Sequence, residues 1–312
     1  MERKSEKNTK FVVTISVITI VLLLSIGANL LIYLKNEELS KKYVNLDIEY
    51  KEKNDLYNIE KEKISEIRND LETLEKLEEN IEIYQKDYFN SIKKLEDKIL
   101  NGESKQKIAY LTFDDGPYYN TYKFLEVLDK YDVKATFFTT SINGENCYDK
   151  KSENCLLLYQ EYLKRGHTIA NHTFTHGIRR GLYNSKENFI TAVKNQEERI
   201  KNQTGGYVTN IVRFPGGSST AGNLKNEIIE ELRKNNYGWV DWTAQDGDGG
   251  NLTSKEQAWY LFTSSINENI EVILFHDYNN ITLSILPDAI EYLQNNGYII
   301  LPLFYESNMV NK

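Results

Sequence analysis

The chain has 312 residues, with 46 Asp+Glu against 38 Lys+Arg and a formal net charge of −8. That mild acidity offers no basic patch for nucleic acid, and the length suits one large domain with additional segments, since domains usually hold about 100–200 residues. Hydrophobic residues make up 40% and charged residues 27%, the balance of a water-facing protein whose single long apolar run is diluted by a charged segment.

The apolar run occupies residues 11–34, FVVTISVITIVLLLSIGANLLIYL, and carries no charge. A membrane-spanning helix needs about 20 apolar residues, so a transmembrane signal anchor is expected here. Residues 1–10 carry Arg3, Lys4, Lys7 and Lys10 against Glu2 and Glu6 and are expected to form a short cytoplasmic tail. Lys35, Lys41 and Lys42 on the far side weaken that bias. Ser25-Ile26-Gly27 lacks the A-x-A pattern of a cleavage site, so a retained single-pass anchor is preferred to a cleaved signal peptide. No Cys lies near the run, which excludes a lipoprotein. The rest of the chain is then extracytoplasmic, where an oxidising exterior permits a disulfide between Cys147 and Cys155.

Residues 35–100 contain no Pro or Gly and are dense in Glu, Lys, Leu and Ile. Apolar positions such as Leu39, Tyr43, Leu46, Tyr50, Tyr57, Ile64, Leu71, Ile81, Tyr88, Ile92, Leu95 and Ile99 recur mostly at helical or heptad steps. The pattern predicts a coiled-coil or helical stalk. As one continuous helix it would span roughly 100 Å, acting either as a spacer or as a homodimer seam. Gly102 breaks it, which places a separate C-terminal domain at 101–312.

From Lys107 onward strand-like and helix-like segments alternate. Strands are expected to begin near Lys107, Ala135, His167, Ile211, Tyr237, Glu271 and Tyr298, with amphipathic stretches such as 122–131, 186–203, 224–235 and 283–295 between them. Such alternation predicts an α/β fold with a parallel sheet.

Three of the four His residues fall in short motifs: His172-Thr173-Phe174-Thr175-His176 and Leu274-Phe275-His276. Upstream lies Thr112-Phe113-Asp114-Asp115-Gly116-Pro117. Two imidazoles four residues apart and a carboxylate form a ligand set that leaves positions open for water and substrate. A second carboxylate beside the ligand and a distant His supply the base and the acid that metal-assisted hydrolysis requires. Asp114, His172, Arg213, Asp241 and His276 all fall at or just beyond an expected strand end, where parallel β/α barrels gather catalytic groups. His167 begins a strand and reads as a structural His. Asp246-Gly247-Asp248-Gly249 fails the spacing of a calcium loop.

These motifs, with Arg213-Phe214-Pro215-Gly216-Gly217 and Asp241-Trp242, resemble in order the five motifs of the polysaccharide deacetylases (NodB-homology domain, carbohydrate esterase family 4) over roughly residues 105–306. The resemblance implies a distorted (β/α)7 barrel and a divalent ion, zinc by preference, held by Asp115, His172 and His176. It implies Asp114 as general base, Arg213 as its partner, and His276 as general acid. Asp241 is chosen as the carboxylate orienting His276, with Asp246 and Asp248 as rivals. Gly216 is implied as oxyanion donor through its N–H, and Trp242 and Leu274 as walls of the acetyl pocket. The expected activity is removal of N-acetyl groups from cell-wall glycan, with peptidoglycan favoured by the anchor and stalk. The alternatives are an O-acetyl esterase, a chitooligosaccharide deacetylase, or a catalytically silent glycan-binding protein.

Overall fold

A computed structural model describes residues 75–141, 155–207, 209–304 and 307. The expected anchor, most of the expected stalk and Cys147 lie outside these residues. Among the described residues no helix is long and apolar enough to cross a membrane. Cys155 is disulfide-bonded.

Among the described residues eight strands form one parallel sheet. They are β1 (Lys107–Asp114), β2 (Thr136–Thr139), β3 (Thr168–Asn171), β4 (Ile211–Val212), β5 (Gly238–Trp239), β6 (Ala244–Gln245), β7 (Ile270–His276) and β8 (Tyr298–Ile300). The spatial order is β5-β4-β3-β2-β1-β7-β6, and β8 pairs with the start of β1. No ladder joins β5 to β6. The connecting chain spans that gap instead, with Val240 N donating to Val212 O (3.1 Å) and Thr243 N to Val272 O (2.8 Å). The result is a parallel α/β half-barrel, consistent with the seven-unit (β/α) fold. All seven expected strands are present, and β6 is the addition.

Helices α2 (Thr121–Lys130), α3 (Leu158–Lys164), α4 (Lys186–Thr204), α5 (Lys225–Lys234), α6 (Lys255–Ser265) and α7 (Asn280–Asn295) follow the strands. Side chains alternate along a strand, and β1 shows the consequence. Ala109, Leu111 and Phe113 join the cluster formed with α2, α3 and α7. Ile108 and Tyr110 point the other way, into the barrel, with Phe138, Ala170, Ile211, Val240 and Val272. Thr112 and Asp114 continue that inward face to the strand's C-terminal end. In register Asp114 lies beside His276 on β7 and Phe138 on β2.

The barrel interior is completed by a helix expected to be stalk. Helix α1 runs Glu75–Leu100, and its residues from Lys86 onward belong to the same compact unit as the barrel. Ile92, Glu96 and Ile99 share one helical face by their spacing. All three are buried, and Ile92 and Ile99 lie within the interior cluster. Glu96 accepts a buried hydrogen bond from Tyr110 Oη, and Phe89 stacks on Phe304 at 4.5 Å.

Candidate active site

The C-terminal ends of β1, β3, β4 and β7 converge on one cluster. Asp115, His172 and His176 each present a ligand atom, all within 4.8 Å of one another. Asp115 Oδ1 lies 3.6 Å from His172 Nε2 and 3.5 Å from His176 Nε2. These separations exceed a hydrogen bond but match a shared ion: ligands about 2.1 Å from zinc in tetrahedral geometry stand about 3.4 Å apart. The donor set of two imidazoles and one carboxylate therefore fits the divalent ion that the resemblance implies.

The surroundings keep the set in a ligating state. His172 is buried, and burial pushes its pKa down to about 4 despite the nearby Asp114 and Asp115 charges, so the ring is neutral. Its Nδ1–H donates to Arg213 O at 2.9 Å, which fixes the tautomer and turns Nε2 toward Asp115. Asp115 (φ 71°), Thr173 (φ 66°) and His176 (φ 47°) all adopt left-handed backbone. This conformation is costly for non-glycine residues, above all for a β-branched Thr. It is held from outside: Asn171 Oδ1 accepts from Thr173 N, Ala192 O from Phe174 N, and Gly116 O from Thr140 N.

Two charge pairs flank the ligand set. On one side the fully buried Arg213 directs Nη1 to Asp114 Oδ1 (2.8 Å) and Thr112 Oγ1 (2.7 Å), Nη2 to Asp241 O (2.9 Å) and Nε to Val240 O (3.3 Å). The guanidinium also lies 4.1 Å from the Phe138 ring centre. This fork occupies Asp114 Oδ1 and leaves Oδ2 facing His172 Nε2 at 3.6 Å. On the other side His276 points Nε2 toward Asp115 Oδ2 at 3.9 Å, while Nδ1–H donates to Asp248 Oδ1 at 2.7 Å. Burial alone would lower the His276 pKa. The Asp248 hydrogen bond and the charges of Asp248, Asp115 and Asp114 override it and raise the pKa to about 9.

The choice of Asp241 as partner of His276 is thereby corrected to Asp248. The Asp241 carboxylate faces the opposite way, accepting from Ser218 N (2.9 Å) and Ser218 Oγ (2.6 Å). It clamps the turn that carries Gly216, and its carbonyl braces Arg213. Trp242 is half-buried over that turn, so that a Cβ on Gly217 (φ +84°) would stand 3.0 Å from its Cη2. Leu274 faces inward two residues before His276. His167 takes no part: it is buried, with Nδ1 accepting from Ala135 N at 3.1 Å, and burial lowers its pKa to about 3.

Sequence reasoning did not single out Thr112, Ser218, Asp277 or Thr282. Asp277 is fully buried behind His276 and accepts from Thr121 Oγ1. Burial pushes its pKa up to about 7. Beside the ring of His276 lie Tyr278, at 5.3 Å between centroids, and then Tyr118, 5.1 Å from Tyr278. The Asp248 loop reaches His276 because Gly249 has no side chain: a Cβ there would stand 3.0 Å from His276 Cε1.

Residues 101–238 match the family described as Polysaccharide deacetylase. The chain is 30% identical over 207 residues to a peptidoglycan-N-acetylglucosamine deacetylase of Bacillus cereus, covering 64% of this chain and 69% of the relative. The chain belongs to the polysaccharide deacetylase family. It is also 32% identical over 199 residues to the putative polysaccharide deacetylase YheN of Bacillus subtilis, covering 62% of this chain and 65% of that relative. Among solved structures, the catalytic domain of peptidoglycan N-acetylglucosamine deacetylase from Eubacterium rectale superposes with a TM-score of 0.59 at 33% identity. It covers 66% of this chain and 93% of that one.

Proposed function

We propose that this protein removes N-acetyl groups from cell-wall glycan, with peptidoglycan as substrate, in a reaction that depends on a divalent ion at Asp115, His172 and His176. The observation that carries the reading is that the Asp114–Arg213 and His276–Asp248 pairs both border that ligand set, with Asp114 Oδ2 3.6 Å from His172 Nε2 and His276 Nε2 3.9 Å from Asp115 Oδ2. An ion bound there would polarise the acetamide carbonyl and make water more acidic. Asp114 accepts the proton of the attacking water at Oδ2, since Arg213 occupies Oδ1. His276 donates a proton from Nε2 to the departing sugar nitrogen, and Asp248 holds the ring for that transfer. The Gly216 N–H serves the developing oxyanion, and Leu274 and Trp242 border the acetyl group. Acetate and a free amine are the products.

Peptidoglycan is favoured by the named activity of the Bacillus cereus relative. A second relative, from Bacillus subtilis and 28% identical, is a peptidoglycan-N-acetylmuramic acid deacetylase. The expected anchor at 11–34 would add to this by holding the domain at the wall, on the outer face of the membrane. Acetate release should be measured in parallel from peptidoglycan, chitooligosaccharides and acetylated xylan with the full chain supplied with zinc. Peptidoglycan is expected to give the highest rate. Release from acetylated xylan alone would replace the reading with an O-acetyl esterase.

A further inference from the structure

Behind the Asp248–His276 pair lies a second buried carboxyl that the reaction above does not use. Asp246, Asp248 and Thr282 are all buried. Thr282 sits in the first turn of α7, with Oγ1 2.7 Å from Asp246 Oδ2 and 2.9 Å from Asp248 Oδ2. A hydroxyl carries one hydrogen, so it can donate to only one of these oxygens. The other contact is a hydrogen bond only if that carboxyl carries a proton and donates it to the hydroxyl lone pair.

The donors around each group decide which carboxyl holds the proton. Asp248 accepts from His276 Nδ1 at Oδ1 and from His276 N at Oδ2, both at 2.7 Å. Asp246 accepts a longer bond, 3.1 Å, from Asp248 N. Short donors favour the charged form, so Asp248 keeps the charge and Asp246 the proton. Burial and the neighbouring Asp248 charge raise the Asp246 pKa to about 8, in the same direction.

We propose that Asp246 is a positioning residue, a neutral carboxylic acid that donates through Thr282 to Asp248 and so fixes the ring of His276 with Nε2 toward the substrate. The polarity runs one way: Asp246 O–H to Thr282 Oγ1, Thr282 O–H to Asp248 Oδ2, and His276 Nδ1–H to Asp248 Oδ1. The consequence for turnover rests on the reading of His276 as the acid; the protonation of Asp246 does not.

The full chain and the variants D246N, D246A and T282V test this. Infrared spectra at neutral pH should show a protonated carboxyl band that D246N removes. Nitrogen NMR of His276 at neutral pH should show an imidazolium whose Nδ1–H is held in a strong hydrogen bond in the wild type, and a shifted, weakened Nδ1–H signal in D246A. With an acetamide substrate, D246A and T282V should each lose about tenfold or more, and the double variant should lose no more than either single one. D246N should recover most of the loss, because Asn places an N–H donor on Thr282 and an acceptor on Asp248 N. Hydrolysis of 4-nitrophenyl acetate, whose leaving group needs no proton, should fall far less. An unchanged band in D246N, unchanged His276 nitrogen shifts in D246A, or amide and ester rates falling together would overturn the proposal. A wild type that releases no acetate from any acetamide would sink the deacetylase reading alone, since the infrared and NMR results still decide the relay.

Discussion

At the scale of single residues, Arg213 ties Asp114 to the strand ends beside the candidate ligand set. The guanidinium reaches Asp114, Thr112 and two carbonyls through a planar fork that a lysine cannot reproduce. R213K should lower kcat by about two orders of magnitude while metal content, read by elemental analysis, stays at the wild-type value; loss of metal would show that Arg213 acts mainly by building the ligand site. The raised carboxyl pKa values also set how stability varies with pH. Asp246 is held up to about 8 and Asp277 to about 7, against 3.8 for an ordinary Asp. The folded chain therefore binds more protons than the unfolded one between about pH 4 and pH 8. Stability is greatest below the ordinary value and falls as pH rises through the folded values. In thermal melts from about pH 5 to pH 8, D246N should lose less stability than the wild type, and an equal loss would contradict the raised Asp246 value. Asp114, Asp115, His172, His176, Arg213 and His276 were legible in the sequence because each lies in a compact motif at a strand end. Asp248 was not separable from Asp241 and Asp246, because the reach of each depends on the path after β6. That strand, Ala244–Gln245, is too short to leave a periodic signal.

The element that changed most between sequence and structure is α1. A stripe such as Ile92, Leu95 and Ile99 satisfies a heptad pattern whether its partner is another helix or the mouth of a barrel, so periodicity alone does not say which of the two it packs on. The strands were easier, because runs such as KIAYLTF and EVILF sit between helical patterns. Full burial of Ile92 and Ile99 is worth about 1.5–3 kcal/mol each, a large share of the 5–15 kcal/mol that usually separates folded from unfolded chains. A chain beginning at residue 86 should therefore melt cooperatively, whereas one beginning at 101 should melt lower by many degrees or precipitate through its exposed interior face. Equal melting of the two would mean that α1 is only laid against the barrel.

For the whole molecule, the open barrel sets the candidate site at its C-terminal rim, while the part of α1 from Lys86 onward closes the interior within the same compact unit. Residues 36–85 are then the part of the expected stalk that remains available for reach, up to roughly 75 Å if continuous helix. Deleting them should spare acetate release from soluble oligosaccharides and reduce deacetylation of intact wall, as compared by muropeptide analysis at equal membrane levels. Equal wall deacetylation would remove the reach argument. In the proposed reaction a divalent ion at Asp115, His172 and His176 works with Asp114 as a separate base. Acetate release from peptidoglycan, measured alongside metal content for the wild type and D114N, tests it most directly. The wild type should hold one ion, lose turnover on chelation and regain it with zinc, while D114N holds the ion and releases no acetate. Turnover by the chelated protein, or near-normal turnover by D114N, would contradict it.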